Sequence, residues 1–390
     1  MENIKIMNNN QKQFNNHRRT KPPIRTFTSN PRPVEGQPVQ DGAKPAHRVV
    51  LGKGLRKHPE MLRHVAGARM NVIRKESTKG NRRPAPARPL THSKSEDVIP
   101  ALAPDSIRIV PLGGVEEIGR NMTAIEYGND IVVIDIGFQF KDENTPGIDY
   151  ILPNTKYLEE RQDKIRAVII THGHLDHIGG IPYIMPRIGN PPLYTRLLTS
   201  ILIQKRQEEF THVPKLDIKV VEKEETLTLG GLKIKFFAVT HTIPDAMGII
   251  VQTPFGSIVH TGDLKLDHVD GVPTVEEEAE YDRAFKNEKV LLLMADSTNV
   301  ENPGFSIPEK TVHKNIEEII KNVQGRLIIA TFSSLLERLL RIIDFAEKYG
   351  KKVVVEGRSM KSNIEICKHL GLLKAKNETM ISSDEIESYP

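Results

Sequence analysis

Residues 167–177 read Ala167-Val168-Ile169-Ile170-Thr171-His172-Gly173-His174-Leu175-Asp176-His177. An apolar run of strand length opens into three histidines and one aspartate within six positions. A buried strand that ends this way delivers its polar residues to the edge of a sheet, where the chain leaves the core. His172 and His174 lie two apart, so an extended backbone turns both rings to one side. Gly173, Gly179 and Gly180 permit the tight path that gathers such side chains around a small volume. Imidazole nitrogen and carboxylate oxygen form the donor set of zinc, with manganese or iron as related choices. Two further segments end alike: Phe236-Phe-Ala-Val-Thr-His241, and Ile258-Val-His-Thr-Gly-Asp263. Alone, His241 reads as a core or surface histidine and Asp263 as a turn residue. With the cluster they complete what a two-metal site needs, including a carboxylate able to bridge both ions.

Outward from this stretch, short β-rich runs alternate with turns. Strands are expected at Ile107–Leu112, Met122–Tyr127, Ile131–Ile134, Ala167–Thr171, Thr226–Leu229, Lys233–Ala238, Gly248–Thr253 and Ser257–Thr261. Gly128-Asn129-Asp130 and Pro254-Phe255-Gly256 read as hairpin turns. Leu197 to Glu209 has the spacing of an amphipathic helix. This mixture predicts sheets covered by helices, an α/β (α+β) architecture. Beyond Val290 the order becomes strictly alternating. Strands at Val290–Ala295, Arg326–Thr331 and Lys352–Glu356 alternate with helices at Pro308–Asn322, Ser334–Tyr349 and Ser359–Leu370, with Ser306 as N-cap of the first helix. The pattern predicts parallel strands in a separate α/β unit.

Toward the N-terminus the composition changes. Residues 1–104 hold 21 Lys and Arg against 7 Asp and Glu. Of the 55 basic and 50 acidic residues in the chain, the other 286 positions keep 34 and 43, so the overall +5 describes neither part. Twelve of the 26 prolines fall in the first segment. Its apolar residues have no period, and it offers too little burial to offset backbone entropy of about 1–2 kcal/mol per residue. A disordered basic extension is expected, apart from one short helix at Pro59–Val72. It reads either as an arm that holds RNA by displacing counterions or as a solvated linker. The single cysteine, Cys367, excludes an intramolecular disulfide framework. No apolar run approaches the roughly 20 residues that cross a bilayer, and no secretory signal opens the chain. A cytoplasmic protein is expected.

His172-Gly-His-Leu-Asp-His177, followed by His241 and Asp263, resembles the metallo-β-lactamase superfamily of hydrolases. The resemblance is narrower than that. Pro111-Leu-Gly-Gly-Val-Glu-Glu-Ile-Gly-Arg-Asn121, Asp135-Ile-Gly-Phe138, Thr171 to Pro182, Thr240-His-Thr-Ile-Pro-Asp245, His260-Thr-Gly-Asp-Leu-Lys265, Asp296-Ser-Thr-Asn299 and Glu356-Gly-Arg-Ser-Met360 resemble the ribonuclease J family of β-CASP nucleases. The likeness runs from about Ile107 to Pro390.

It implies a metallo-β-lactamase αββα sandwich at 105–304, then the N-terminal part of a β-CASP α/β domain at 305–390, after the disordered extension at 1–104. It also implies a first zinc on His172, His174, His241 and Asp263. The second would take Asp176, His177 and Asp263, with catalysis centred on those three. Manganese is an alternative metal. Asp135 and Asp296 would support the site from behind, and Gly147 and Asp149 would match positions of a calcium site in some members, although a plain turn reads equally well there. The implied activity is hydrolysis of RNA phosphodiesters from a 5′ end, with internal cuts in some members, in RNA processing and decay. Implied partners are RNA and further copies of the chain as a homodimer or homotetramer, with no membrane. Family members continue past residue 390, where a phosphate-binding loop and a last metal-binding histidine are expected. A truncated chain that binds RNA and metal but turns over poorly is therefore anticipated. Glu337-Arg338 departs from the family's histidine-arginine pair, and an acidic group facing a phosphate path would repel substrate. Two other readings stay open: a non-catalytic RNA-binding fragment, and a superfamily hydrolase acting on an ester or thioester.

Overall fold

Residues 4–6, 99–143 and 145–389 are described by the structure, a computed structural model. The expected helix at 59–72, and most of the basic extension with it, lies outside the described residues. Two sheets organise the rest. The first runs β1 (Ile4–Ile6), β2 (Ile107–Gly113), β3 (Met122–Tyr127), β4 (Asp130–Ile134), β7 (Ile165–Ile169), β8 (Leu193–Thr195) and β9 (Ile218–Val220), with a short β5 (Gln139–Phe140) and β6 (Tyr150–Ile151) ribbon beside it in sequence. The second runs β10 (Thr226–Leu229), β11 (Leu232–Ala238), β12 (Met247–Thr253), β13 (Gly256–His260) and β16 (Val290–Met294). A ribbon of β14 (His268–Val269) and β15 (Val272–Pro273) follows β13 in the chain. Ile4–Ile6, expected within the disordered extension, pairs its backbone parallel with β2.

Alternation along the strands assigns each side chain to a layer. Val132, Ile134, Ala167 and Ile169 face Ile234, Phe236, Ile249 and Val251 of the second sheet. Their neighbours Val133, Val168 and Ile170 turn the other way. They pack on α1 (Lys156–Glu159), α2 (Leu175–Ile178), α3 (Ile181–Ile184) and α4 (Leu197–Gln207). Beyond the second sheet, Phe237, Ile250 and Val259 meet Tyr281, Ala284 and Phe285 of α5 (Val275–Phe285). The layers are helix, sheet, sheet, helix. Each fully buried Ile, Val or Phe contributes about 1.5–3 kcal/mol, so the period-two pattern holds the register firmly.

One polar network interrupts this core. Arg108 and Glu126 pair at 3.1 Å with side chains 3% and 1% exposed. The Tyr157 hydroxyl also donates to Glu126, and burial pushes that phenol up to about 12. Arg108 also donates a bond of 2.6 Å to the Pro100 carbonyl, which ties the start of the described segment to β2.

Direction positions the site. β4 and β7 are parallel, so both deliver their C-terminal ends to one edge. β11 and β13 are both antiparallel to β12 and therefore parallel to each other. The Met247 N–H donates to the Thr171 carbonyl at 3.1 Å and joins the two sheets at that edge.

The C-terminal part holds α6 (Glu309–Asn322), α7 (Leu336–Lys348) and α8 (Arg358–His369), each close to its expected range. Three details differ. Arg326–Thr331 and Lys352–Glu356, expected as strands, enter no ladder among the described residues; Val353 makes one isolated bridge to Met380. Ile328 is 87% exposed. β propensity becomes a strand only against a neighbouring ladder. β16, which the alternating rhythm grouped with this part, pairs parallel with β13 in the second sheet. Helix α6 begins after Pro308, while the Ser306 carbonyl accepts a 2.8 Å bond from His268.

Candidate functional site

Four strand ends meet at the shared edge. β7 runs into His172, His174, Asp176 and His177, β4 into Asp135, β11 into His241, and β13 into Asp263. The donor atoms form two groups, His172–His174–His241–Asp263 and Asp176–His177–Asp263, each spanning no more than 4.8 Å. In the first, Nε2 of His172 lies 3.1 Å from Nδ1 of His174, which lies 3.2 Å from Nε2 of His241. Asp263 divides its oxygens. Oδ2 stands 3.9 and 3.8 Å from the His172 and His241 nitrogens, and Oδ1 stands 3.2 Å from Nε2 of His177.

The first group has the chemistry of a cation site. Three ring nitrogens face one another, and hydrogens between them cannot satisfy all three. Burial lowers the pKa of His172 well below the ordinary value, lowers that of His174, and brings His241 to about 4, with repulsion among the rings adding to it for His172 and His241. The rings are therefore neutral at pH 7 and offer lone pairs to a shared centre. Nδ1 of His241 is buried without a partner.

The second group behaves differently. Burial opposes a charge on His177, but Asp135 at 2.8 Å from Nδ1, with Asp176 and Asp263 near Nε2, raises it well above the ordinary value. Burial also opposes ionisation of Asp263, and the hydrogen bond and charge of His177 overcome this to bring it down to about 2. Asp176 is lowered by the same balance. Asp135 sits at φ +60 directly after β4, a left-handed turn that aims its carboxylate back at β7. There it accepts from the Thr171 N–H at 2.8 Å and the Thr171 hydroxyl at 2.9 Å.

Asp296 is not in either group. Its carboxylate accepts from the Leu264 N–H at 3.3 Å and from Thr298 at 2.8 Å, which braces the loop carrying Asp263. Gly147 and Asp149 are exposed, and Asp149 joins no cluster of His, Cys, Asp or Glu among the described residues. Glu337 is half-buried, and burial raises its pKa. Arg338 is bound 2.8 Å from Glu309, which also takes Lys265 at 2.8 Å. Three contributors had no assigned role in the sequence. The Asn121 amide lies 3.1 Å from Nε2 of His177, the Thr171 hydroxyl 3.1 Å from Nδ1 of His172, and the Ser334 carbonyl 3.3 Å from Nε2 of His174. Asn121 ends the Pro111–Asn121 motif, and that place is its signal in the sequence. Ser334 acts through its backbone, which no residue type signals.

Two sheets face to face, with histidines and aspartates gathered where their strands end, define a protein of the metallo-β-lactamase class. A profile of the metallo-β-lactamase superfamily matches residues 116–308, and one of the ribonuclease J β-CASP domain matches residues 324–390. The chain belongs to the ribonuclease J family of that superfamily. It is 39% identical over 292 residues to ribonuclease J of Thermus thermophilus, covering 73% of this chain and 51% of the relative. Ribonuclease J of Mycoplasma pneumoniae is 38% identical over 283 residues, covering 73% and 49%. The chain thus spans about half the length of the curated relatives it matches. A protein of unknown function from Enterococcus faecalis V583 shares the fold, with TM-score 0.53 and 18% identity over 71% of this chain and 74% of that one.

Proposed function

We propose that this chain is the metallo-β-lactamase portion (105–304) and the first part of the β-CASP portion (305–390) of a metal-dependent ribonuclease that hydrolyses RNA phosphodiesters. One observation carries the reading: Asp263 presents one oxygen to each of two donor groups, the disposition of a bridging carboxylate. His172, His174, His241 and Asp263 would hold a first ion, and Asp176, His177 and Asp263 a second. Zinc suits the nitrogen-rich first group, with manganese as the alternative. Calcium at Gly147 and Asp149 draws no support from the geometry, so it stays outside the proposal.

Two bound ions would supply Lewis-acid polarisation of a phosphate and an acidified water. The chain's own residues do the rest. Asp135 holds His177 with its proton on Nδ1, which leaves Nε2 facing Asp176 and Asp263. The Ser334 carbonyl takes the Nε2–H of His174 and so turns Nδ1 toward His172 and His241. Asp296 fixes the loop of Asp263. The basic extension would add affinity for RNA phosphates without touching the reacting atoms. Attack from a 5′ end, internal cleavage, self-association and a cytoplasmic place of action belong to the proposal through the family resemblance of the sequence motifs and the composition. No helix among the described residues is long and apolar enough to cross a membrane.

The test is metal analysis followed by cleavage of labelled 5′-monophosphorylated RNA with protein in excess. Two ions, cleavage abolished by chelation, and loss of both in His172→Ala and His174→Ala are expected. A two-ion protein that neither binds nor cleaves RNA would overturn the reading.

A further inference from the structure

The first group has four donor residues and the second only three. The side chain of Asn121 stands beside the second. Its Nδ2 lies 3.1 Å from the Asp176 carbonyl, 3.4 Å from Asp176 Oδ2 and 3.1 Å from Nε2 of His177. Its backbone holds the same place. The Asn121 N–H donates to the Asp176 carbonyl at 3.1 Å, and the Asn121 carbonyl accepts from the Gly137 N–H at 2.9 Å.

Orientation of the amide follows from its neighbours. Turned over, Oδ1 would face both the carbonyl and the carboxylate of Asp176, oxygen against oxygen. The hydrogen bonds therefore select Nδ2 inward. Oδ1 faces Gly114, where a Cβ would lie 2.3 Å from it, and Gly114 has φ +80. A Cβ on Gly137 would lie 1.5 Å from the Asp176 carbonyl oxygen. Two glycines thus leave the space in which the amide and the turn of α2 approach so closely.

We propose that Asn121 is a positioning residue for the second cation: its amide N–H groups hold Asp176 at the carbonyl and at Oδ2, and so set that carboxylate in place beside His177 and Asp263 before the ion arrives. This rests on the metal reading above and adds a residue outside the His and Asp set. Side chains that orient ligands in this way change metal affinity about 10–100-fold when removed.

The experiment measures zinc stoichiometry by mass spectrometry and the affinity of each ion by chelator competition, with the thermal midpoint in chelator as a folding control. Asn121→Ala should bind the second ion about 10–100-fold more weakly and the first within about twofold. Asn121→Asp keeps the size but removes both donors and sets a charge against Asp176, so it should not restore the second ion. Gly114→Ala should weaken the second ion without altering any donor. A wild-type second affinity in Asn121→Ala overturns the positioning role alone. Tighter binding in Asn121→Asp than in wild type also overturns it, because the side chain would then act as an oxygen ligand. Fewer than two ions in the wild type overturns the metal reading and this proposal with it.

Discussion

Asp135→Asn changes one atom and one charge, and its consequence can be followed bond by bond. Oδ1 of Asp135 accepts from the Thr171 N–H at 2.8 Å, while Oδ2 faces Nδ1 of His177 at 2.8 Å. An asparagine has a single oxygen, and the Thr171 N–H claims it. Its NH2 then points at His177, which must accept at Nδ1 and carry its proton on Nε2. That nitrogen faces Asp176 and Asp263, so the second group loses the lone pair a cation needs. Loss of an orienting carboxylate costs about 10–100-fold in metal affinity, or about 1.4–2.7 kcal/mol. The first group contains neither residue and should keep its affinity within about twofold. The metal-free protein reports the same contact. Removing one partner of a buried ion pair costs about 3–5 kcal/mol. The folded pKa of His177 is raised, so the pair's contribution is fully present below the unfolded value near 6.5 and is lost as pH rises through the folded value. The gap in urea stability between wild type and variant, measured in chelator, should be largest near pH 6 and shrink toward alkaline pH. Zinc competition giving an unchanged second affinity, or a stability gap that widens with pH, would refute this chain of reasoning.

The two ions should differ in proton release: near pH 7 the first meets neutral rings, whereas the second displaces about one proton from His177. Calorimetry in buffers of different ionisation enthalpy reads this directly, and equal release for both ions would contradict it. Asp263→Ala removes the residue common to both groups, so it should abolish the second ion and weaken the first; a variant that retains two ions by metal analysis would show that Asp263 does not bridge. Away from the site, Glu126→Ala leaves Arg108 buried without its partner and should cost about 3–5 kcal/mol in urea unfolding. A loss below about 1 kcal/mol would mean that water relieves the charge.

Local order explains what the chain itself reveals. His172, His174, Asp176 and His177 are legible because one strand end carries them all, and backbone geometry alone brings them within reach of one another. The apolar runs Ile131–Ile134 and Ala167–Ile170 likewise announce buried strands. Long-range geometry is another matter. That Oδ1 of Asp263 serves one group and Oδ2 the other depends on how two sheets stack, which no local pattern encodes. The orientation of His174 is set by a carbonyl 160 residues away, at Ser334. Asn121 acquires its place only because Gly114 and Gly137 let three loops close on Asp176. Arg326–Thr331 has the composition of a strand yet forms none among the described residues, since a strand exists only through hydrogen bonds to a neighbour. Residue type and period decide which side chains are available at a strand end. The packing of distant segments decides which of their atoms face one another, because it alone sets directions across the sheets.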